Sequence, residues 1–288
     1  MTILFNRGKK LLIQKRYQRI ASTYDKHAML PQLMGERLLE KLDFIKLKPE
    51  VILDLGTGTG ALLKPLKQRY PQAKVIGLDI SLAMLKQAKQ KKRWFAKQPL
   101  IAGDMQSLPL QENSVDLIII NCVLSWCEDL SLLFKELKRI LKSQGLLLFS
   151  TCGPDTLQQL KTAWCQVDDF EHINAFIDMH DIGDMLLQAD FSDPVVDMEQ
   201  VTIYFSSIKQ MLKDLHHMGS VNLNAKKTKG LQSTQLLDQL AEHYPKRDNQ
   251  YPVTVEIIYG LAWGKTISNT ASMQDGEVSI PLNRFFKQ

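Results

Sequence analysis

Ten residues, Val51 to Gly60 (VILDLGTGTG), constrain this chain more than any others. A short apolar run that ends in an acid and then in Gly56, Gly58 and Gly60 reads as a buried strand turning sharply into the helix begun by ALLKPLKQRY. Glycines at such a turn adopt dihedrals closed to other residues and leave room for a ligand against the main chain at a helix N-terminus. The spacing alone leaves the ligand open, because Gly56, Gly58 and Ala61 also satisfy the G-x-G-x-x-(G/A) pattern of dinucleotide sites.

Asp54 discriminates between ligands. A carboxylate two residues before the first glycine repels a pyrophosphate cradled there and favours a cation. S-adenosylmethionine carries an ammonium and a sulfonium and no phosphate. The next apolar run, AKVIGLDI, ends in Asp79, about 20 residues beyond the glycine turn, where an acid accepts from ribose hydroxyls. A third acid, Asp104 in IAGDMQSLP, is positioned to accept from an adenine amino group. Helix capping is the competing explanation for each acid singly. Three acids after three successive strands argue together for a ligand site.

Alternation continues to residue 152, with strands at VILDL, KVIGLD, PLIAGD, VDLIIIN and GLLLFSTC and helices around 60–70, 81–94 and 128–142. This predicts parallel pairing with right-handed crossovers and a ligand site at the carboxyl ends of the strands. Asn121 to Trp126 (NCVLSW) then belong to the same rim. Further on, GPDTLQQLKTAW opens a helix with a proline near its first turn, and Asp178 caps a helix that turns Ile182, Met185, Leu186 and Ala189 inward. DPVVDMEQVTIYF and YPVTVEIIYGLAWGK read as strands, separated by a polar helical stretch broken at GSVNLNAKKTKG. The organisation expected is an N-terminal helical lid over 1–48, a catalytic domain over 49–265 with a helical insertion at 206–250, and a loose tail over 266–288.

At 288 residues and 44% hydrophobic, the chain accommodates one large α/β domain. No apolar run approaches the length of a membrane span, and the opening residues lack the cleavage signature of a signal peptide, so a cytoplasmic protein is expected. Cys122, Cys127, Cys152 and Cys165 form no CxxC pair, and no metal is expected. The net charge of +5 is concentrated at Lys9, Lys10, Lys15, Arg16 and Arg19, at Lys86 to Arg93, and at Lys226 to Lys229. Such clusters are either solvated helix faces or a field that steers an acidic partner.

With the strand ends in place, the chain resembles the class I S-adenosylmethionine-dependent methyltransferases. Asp54, Gly56, Gly58 and Gly60 resemble that family's first motif, Asp79 its ribose acid and Asp104 its adenine-side acid. The resemblance implies a Rossmann-like, mostly parallel sheet of about seven strands with an antiparallel last strand. Arg19, Ala21, Tyr24, Asp25 and Ala28, with Asn121, Trp126, Cys127 and the run FIDMHDIGDMLLQADFSDPVVDME, are most similar to malonyl-acyl-carrier-protein O-methyltransferases, which begin pimelate synthesis for biotin. Tyr17 stands where many members carry Phe. Assembly factors of respiratory complex I, associated with arginine hydroxylation, share the architecture and resemble QMLKDLHHMGSVN and VEIIYGLAWGK.

The resemblance implies methyl transfer to the free carboxylate of a malonyl thioester on acyl-carrier protein. Arg19 is the expected carboxylate clamp, and Tyr17, Tyr24 and Trp126 shape the pocket and the sulfonium face. The expected cofactor contacts are Tyr24, Asp54, Gly56, Gly58, Gly60, Asp79, Ile80, Asp104, Met105 and Asn121. Methylation of a small phenol or carbon acid is the alternative, and would require a base such as His27 or His180. Nucleic acid is not an expected partner, and no membrane span is expected.

Overall fold

Buried on both faces, the apolar runs pair into one sheet. The computed structural model describes residues 2–91, 98–217 and 234–264. Its strands are β1 (Val51–Leu55), β2 (Lys74–Asp79), β3 (Leu100–Ala102), β4 (Val115–Asn121), β5 (Leu141–Cys152), β6 (Ser192–Phe205) and β7 (Tyr251–Trp263). They lie in the order β3-β2-β1-β4-β5-β7-β6, with β7 antiparallel to both its neighbours and the first five strands parallel. The sheet is therefore the Rossmann-like arrangement expected, antiparallel last strand included. The chain winds outward from β1 to β3 and returns to β4 on the other side of β1, so the strand order reverses between β1 and β4. That reversal leaves a crevice at their carboxyl ends.

Alternation along the strands divides the core in two. Ile52, Leu117, Ile119 and Leu148 join the cluster under α3 (Met29–Lys41), α4 (Leu63–Arg69), α7 (Gln158–Trp164), α9 (Ile208–His217) and α10 (Thr234–His243). Leu53, Ile118, Ile120 and Phe149 join the other, under α6 (Leu130–Ile140) and α8 (Met179–Gln188). Asp178 caps α8 through its side chain as expected, and Ile182 and Leu186 are buried. The remaining helices, α1 (Thr2–Ile20), α2 (Tyr24–His27) and α5 (Leu82–Lys91), meet at a small cluster of Ile20, Ala21 and Met84 flanked by Tyr17 and Tyr24.

Two expected boundaries move. The helix expected over 128–142 stops at Ile140, because Leu141 pairs with Val115 and begins β5 before Gly145. The helix expected from Gly153 starts at Gln158: Glu256 on β7 accepts from the Asp155 amide at 2.7 Å and holds residues 153–157 as a turn. Within the expected insertion, α9 and α10 are described; the GSVNLNAKKTKG break, the Lys226–Lys229 cluster, the end of the Lys86–Arg93 cluster and the tail over 266–288 lie outside the described residues.

Gly260 on β7 is a packing requirement. A Cβ there would lie 2.0 Å from Cζ of the fully buried Phe149. Overpacking of a rigid core ring costs about 3 kcal/mol, so Gly260→Ala is expected to lower the thermal midpoint sharply, as a calorimetric melt would record. An unchanged midpoint would mean that the strand gives way easily.

Candidate active site

The glycine turn that follows β1 is built from left-handed backbone. Gly56, Gly58 and Gly60 have φ of 74°, 54° and 77°. A side chain at Gly56 would strike Val123 at 2.3 Å, whereas one at Gly58 would enter open space. The Gly58 amide donates to Oδ2 of Asp79 at 2.9 Å, and the Ser81 amide donates to Oδ1 at 2.7 Å. Asp79 thus ties the glycine turn to the end of β2. Burial raises its carboxyl above the usual range, against those two hydrogen bonds. Asp54, only 2% exposed, accepts from the Thr57 hydroxyl at 2.5 Å. Burial pushes its carboxyl up to about 7, the Thr57 hydrogen bond opposing and the charge of Asp79 adding to the rise.

Two cavities adjoin this turn, and a third shares side chains with them. The first, of about 610 Å³, has Gly56, Gly58, Asp79, Ile80 and Met105 on one side and Ile13, Tyr17 and Tyr24 on the other. The second, of about 470 Å³, is bounded by Asp54, Thr57, Thr59, Asp25 and Asn121. The third, of about 660 Å³, is walled by Leu30, Thr156, Leu157, Asn174, Phe176 and Leu215. Tyr24 lines all three, and Tyr17, Cys122 and Trp126 line both the first and the third. The Tyr17 ring meets Tyr24 at 6.2 Å and Trp126 at 5.8 Å, both edge-on. Burial raises both phenols, so they stay protonated and remain hydrogen-bond donors. Cys122 (φ 59°) and Leu157 (φ 61°) are non-glycine residues in left-handed backbone, and both face the third cavity. Strain of this kind persists where the surroundings over-determine it, and it collects at ligand sites.

The N-terminal helices are fastened over the first two cavities. Lys10 donates to Asp104 at 2.6 Å, and Gln14 donates to the Ile80 carbonyl at 3.2 Å. On α2, Asp25 accepts from the Thr59 hydroxyl and pairs with Lys91, each at 2.6 Å. His27 meets Asp214 of α9 at 3.1 Å.

These features fit a ligand that is cationic at one end and carries a ribose at the other. A buried carboxylate with a raised pKa faces the second cavity, an acid with a ribose-binding placement edges the first, and three aromatic rings flank the junction. Residues 53–149 match the family model described as a methyltransferase domain. The malonyl-[acyl-carrier protein] O-methyltransferase of Legionella pneumophila is 39% identical over 280 residues, covering 96% of this chain and 98% of that one. Its namesake from Gallionella capsiferriformans is 42% identical over 262 residues, covering 88% and 90%. This chain belongs to the malonyl-[acyl-carrier protein] O-methyltransferase family. The YcgJ protein of Bacillus subtilis shares the fold, with a TM-score of 0.58 at 13% identity over 80% of this chain and 99% of that one.

Within this methyltransferase, the residues named from sequence separate into two groups. Tyr17, Tyr24, Gly56, Gly58, Asp79, Ile80, Met105, Asn121 and Trp126 line the first cavity, and Asp54 lines the second. Asn121 contributes through its shape, since its amide donates to the Pro31 carbonyl at 2.8 Å and its oxygen accepts from Ser150 at 2.7 Å. Three residues stand elsewhere. Gly60 lines none of the three cavities, and its Cβ position is taken by Ala88 at 3.1 Å and Leu63 at 3.0 Å. Asp104 has its carboxylate held by Lys10 and the Gln106 amide, while its neighbours Gly103 and Met105 form the wall. Arg19, the expected clamp, is exposed and lines none of these three cavities. The more withdrawn guanidinium is that of Arg16, whose pKa burial lowers. His27 is engaged with Asp214, and His180 is exposed beside Asp178; no histidine is among the described residues that line the third cavity.

Proposed function

We propose that this methyltransferase esterifies the free carboxylate of a malonyl thioester borne by an acyl-carrier protein. The observation that carries the reading is the third cavity, which shares Tyr17, Tyr24, Cys122 and Trp126 as lining with the first. S-adenosylmethionine, when bound, supplies a methyl group on an electron-poor sulfonium. Asp54, Asp79 and the glycine turn are the residues to hold it. A malonyl carboxylate is an anion at neutral pH and needs no base to become a nucleophile. That suits a third cavity whose described lining offers hydroxyls and an amide, from Tyr17, Tyr24, Ser125, Thr156 and Asn174, beside the Trp126 indole and the Cys122 and Cys152 thiols, and no described carboxylate or histidine. Neutral donors orient the carboxylate without neutralising it, and partial removal from water sharpens its reactivity. The ester removes one charge, which lets the acyl chain be extended as an ordinary fatty chain, as the start of pimelate synthesis requires. Both sequence relatives compared above are named for methyl transfer to malonyl-carrier protein, which gives the assembly-factor alternative no support.

The test is methyl transfer from labelled S-adenosylmethionine to malonyl-carrier protein, malonyl-coenzyme A and free malonate in parallel. Label on the carrier that mild base releases is the expected result; cofactor binding with no label on any acceptor would overturn the reading. Tyr24→Phe is expected to lower kcat/KM for the malonyl acceptor about 10- to 100-fold, the value of one hydrogen bond to a charged group. An unaltered kcat/KM would remove Tyr24 from the carboxylate site.

A further inference from the structure

Apart from the half-buried Arg16, the cations of α1 and α5 whose side chains are described fall into two sets. Lys10 and Lys91 are paired, with Asp104 and Asp25. Lys15, Arg19, Lys86 and Lys89 are exposed, and no ion pair involves them among the described residues. Each helix repeats one outward stripe, Leu11-Lys15-Arg19 on α1 and Leu82-Lys86-Lys89 on α5, at the three- and four-residue steps that share a helix face. The leucines are the unexpected part. Leu11, Leu12 and Leu82 are 52%, 51% and 73% exposed, which a merely solvated lysine face does not require. Neither helix carries an acid, and the two pack together.

We infer that this joint face of α1 and α5 docks the acyl-carrier protein, its cations meeting acidic side chains of the carrier and its leucines meeting an apolar strip between them. The inference rests on the malonyl-carrier reading above, and charge complementarity selects the partner: a surface of lysine and arginine without acids fits an acidic protein. The position serves the reaction as well. Tyr17, between Lys15 and Arg19 in sequence, faces the cavities from the inner side of the same helix, so docking and chemistry occupy opposite sides of α1. Arg19 thereby acquires a role that its exposure permits.

The test compares two acceptors, malonyl-carrier protein and a malonyl thioester of a short pantetheine-like thiol that lacks the protein. Lys15→Glu and the pair Lys86→Glu with Lys89→Glu are expected to raise KM for the carrier about tenfold each while kcat and KM for the short thioester stay within about twofold. In the wild type, kcat/KM for the carrier falls as salt is raised, and for the short thioester it does not. Arg19→Glu separates docking from clamping: loss on the carrier alone supports the docking face, and equal loss on both acceptors removes Arg19 from it. Unchanged carrier kinetics in the lysine variants would overturn the proposal. It would also be overturned, in favour of a different polyanion, if those variants kept full carrier activity yet lost binding to RNA or to vesicles containing an anionic lipid. A wild type that methylates neither thioester refutes the underlying reading, and is distinguishable from these outcomes.

Discussion

Asp79→Asn is expected to weaken S-adenosylmethionine binding by about 100- to 1,000-fold, from the loss of roughly 3–4 kcal/mol. Both oxygens of the carboxylate are already in use inside the protein, one on the Gly58 amide at 2.9 Å and the other on the Ser81 amide at 2.7 Å. An asparagine keeps one acceptor and turns an NH₂ group toward the other donor. One amide is then left unsatisfied in a buried place, at a cost of about 1–3 kcal/mol, and the glycine turn loses its tie to β2. The acceptor for the ribose is lost with it. Titration calorimetry of the variant decides the matter. A dissociation constant within about threefold of the wild type would mean that the backbone holds the turn unaided.

The second large effect is a pH dependence with opposite signs for stability and for binding. The Asp54 carboxyl, pushed to about 7 in the folded protein, has an ordinary value of 3.8 when exposed. Its folded pKa is the higher one, so its contribution to stability is full below 3.8 and is lost as pH rises through about 7. The loss amounts to at most about 4 kcal/mol. Without ligand, Asp54→Asn is therefore expected to melt higher than the wild type at pH 8 and at nearly the same temperature at pH 4. Asparagine still accepts from Thr57, which leaves the turn intact. A cationic ligand reverses the sign, because it favours the ionised carboxylate. Affinity for S-adenosylmethionine is thus expected to rise with pH up to about 7, with a proton released on binding below that point. Calorimetry in two buffers of different ionisation heat measures that proton, and the Asp54→Asn variant subtracts the ligand's own titration. Identical proton release by the two proteins would place the cation elsewhere.

The parts of the site that were legible in the sequence are those that local pattern controls. VILDL, KVIGLD and VDLIIIN are continuous apolar runs because both faces of β1, β2 and β4 are covered, and Asp54, Asp79 and Asn121 near their ends fall in the crevice by topology. Helical phase was not legible to the same degree. Tyr17 and Arg19 are two residues apart, about 200° around a helix, so they cannot face the same cavity. The tie from Lys10 to Asp104, 94 residues apart, is invisible to a local reading. Gly60 belongs to the motif by spacing, yet Ala88 of α5 explains it through packing. The third cavity escaped notice because its walls come from α3, β5, the loop before α8, α9 and β7, which only the fold assembles.

The fastenings of the N-terminal helices also impose an order on departure. Lys10 on Asp104, Gln14 on the Ile80 carbonyl and Asp25 on Thr59 hold α1 and α2 across the space where the methyl donor belongs. On the proposed reading, a spent donor beneath them is expected to leave only after those bonds part and α1 lifts. A carrier seated on the outside of α1 weighs against that lifting. Esterified carrier should therefore dissociate first and S-adenosylhomocysteine second, so that product inhibition by the latter is competitive toward the methyl donor and mixed toward the carrier.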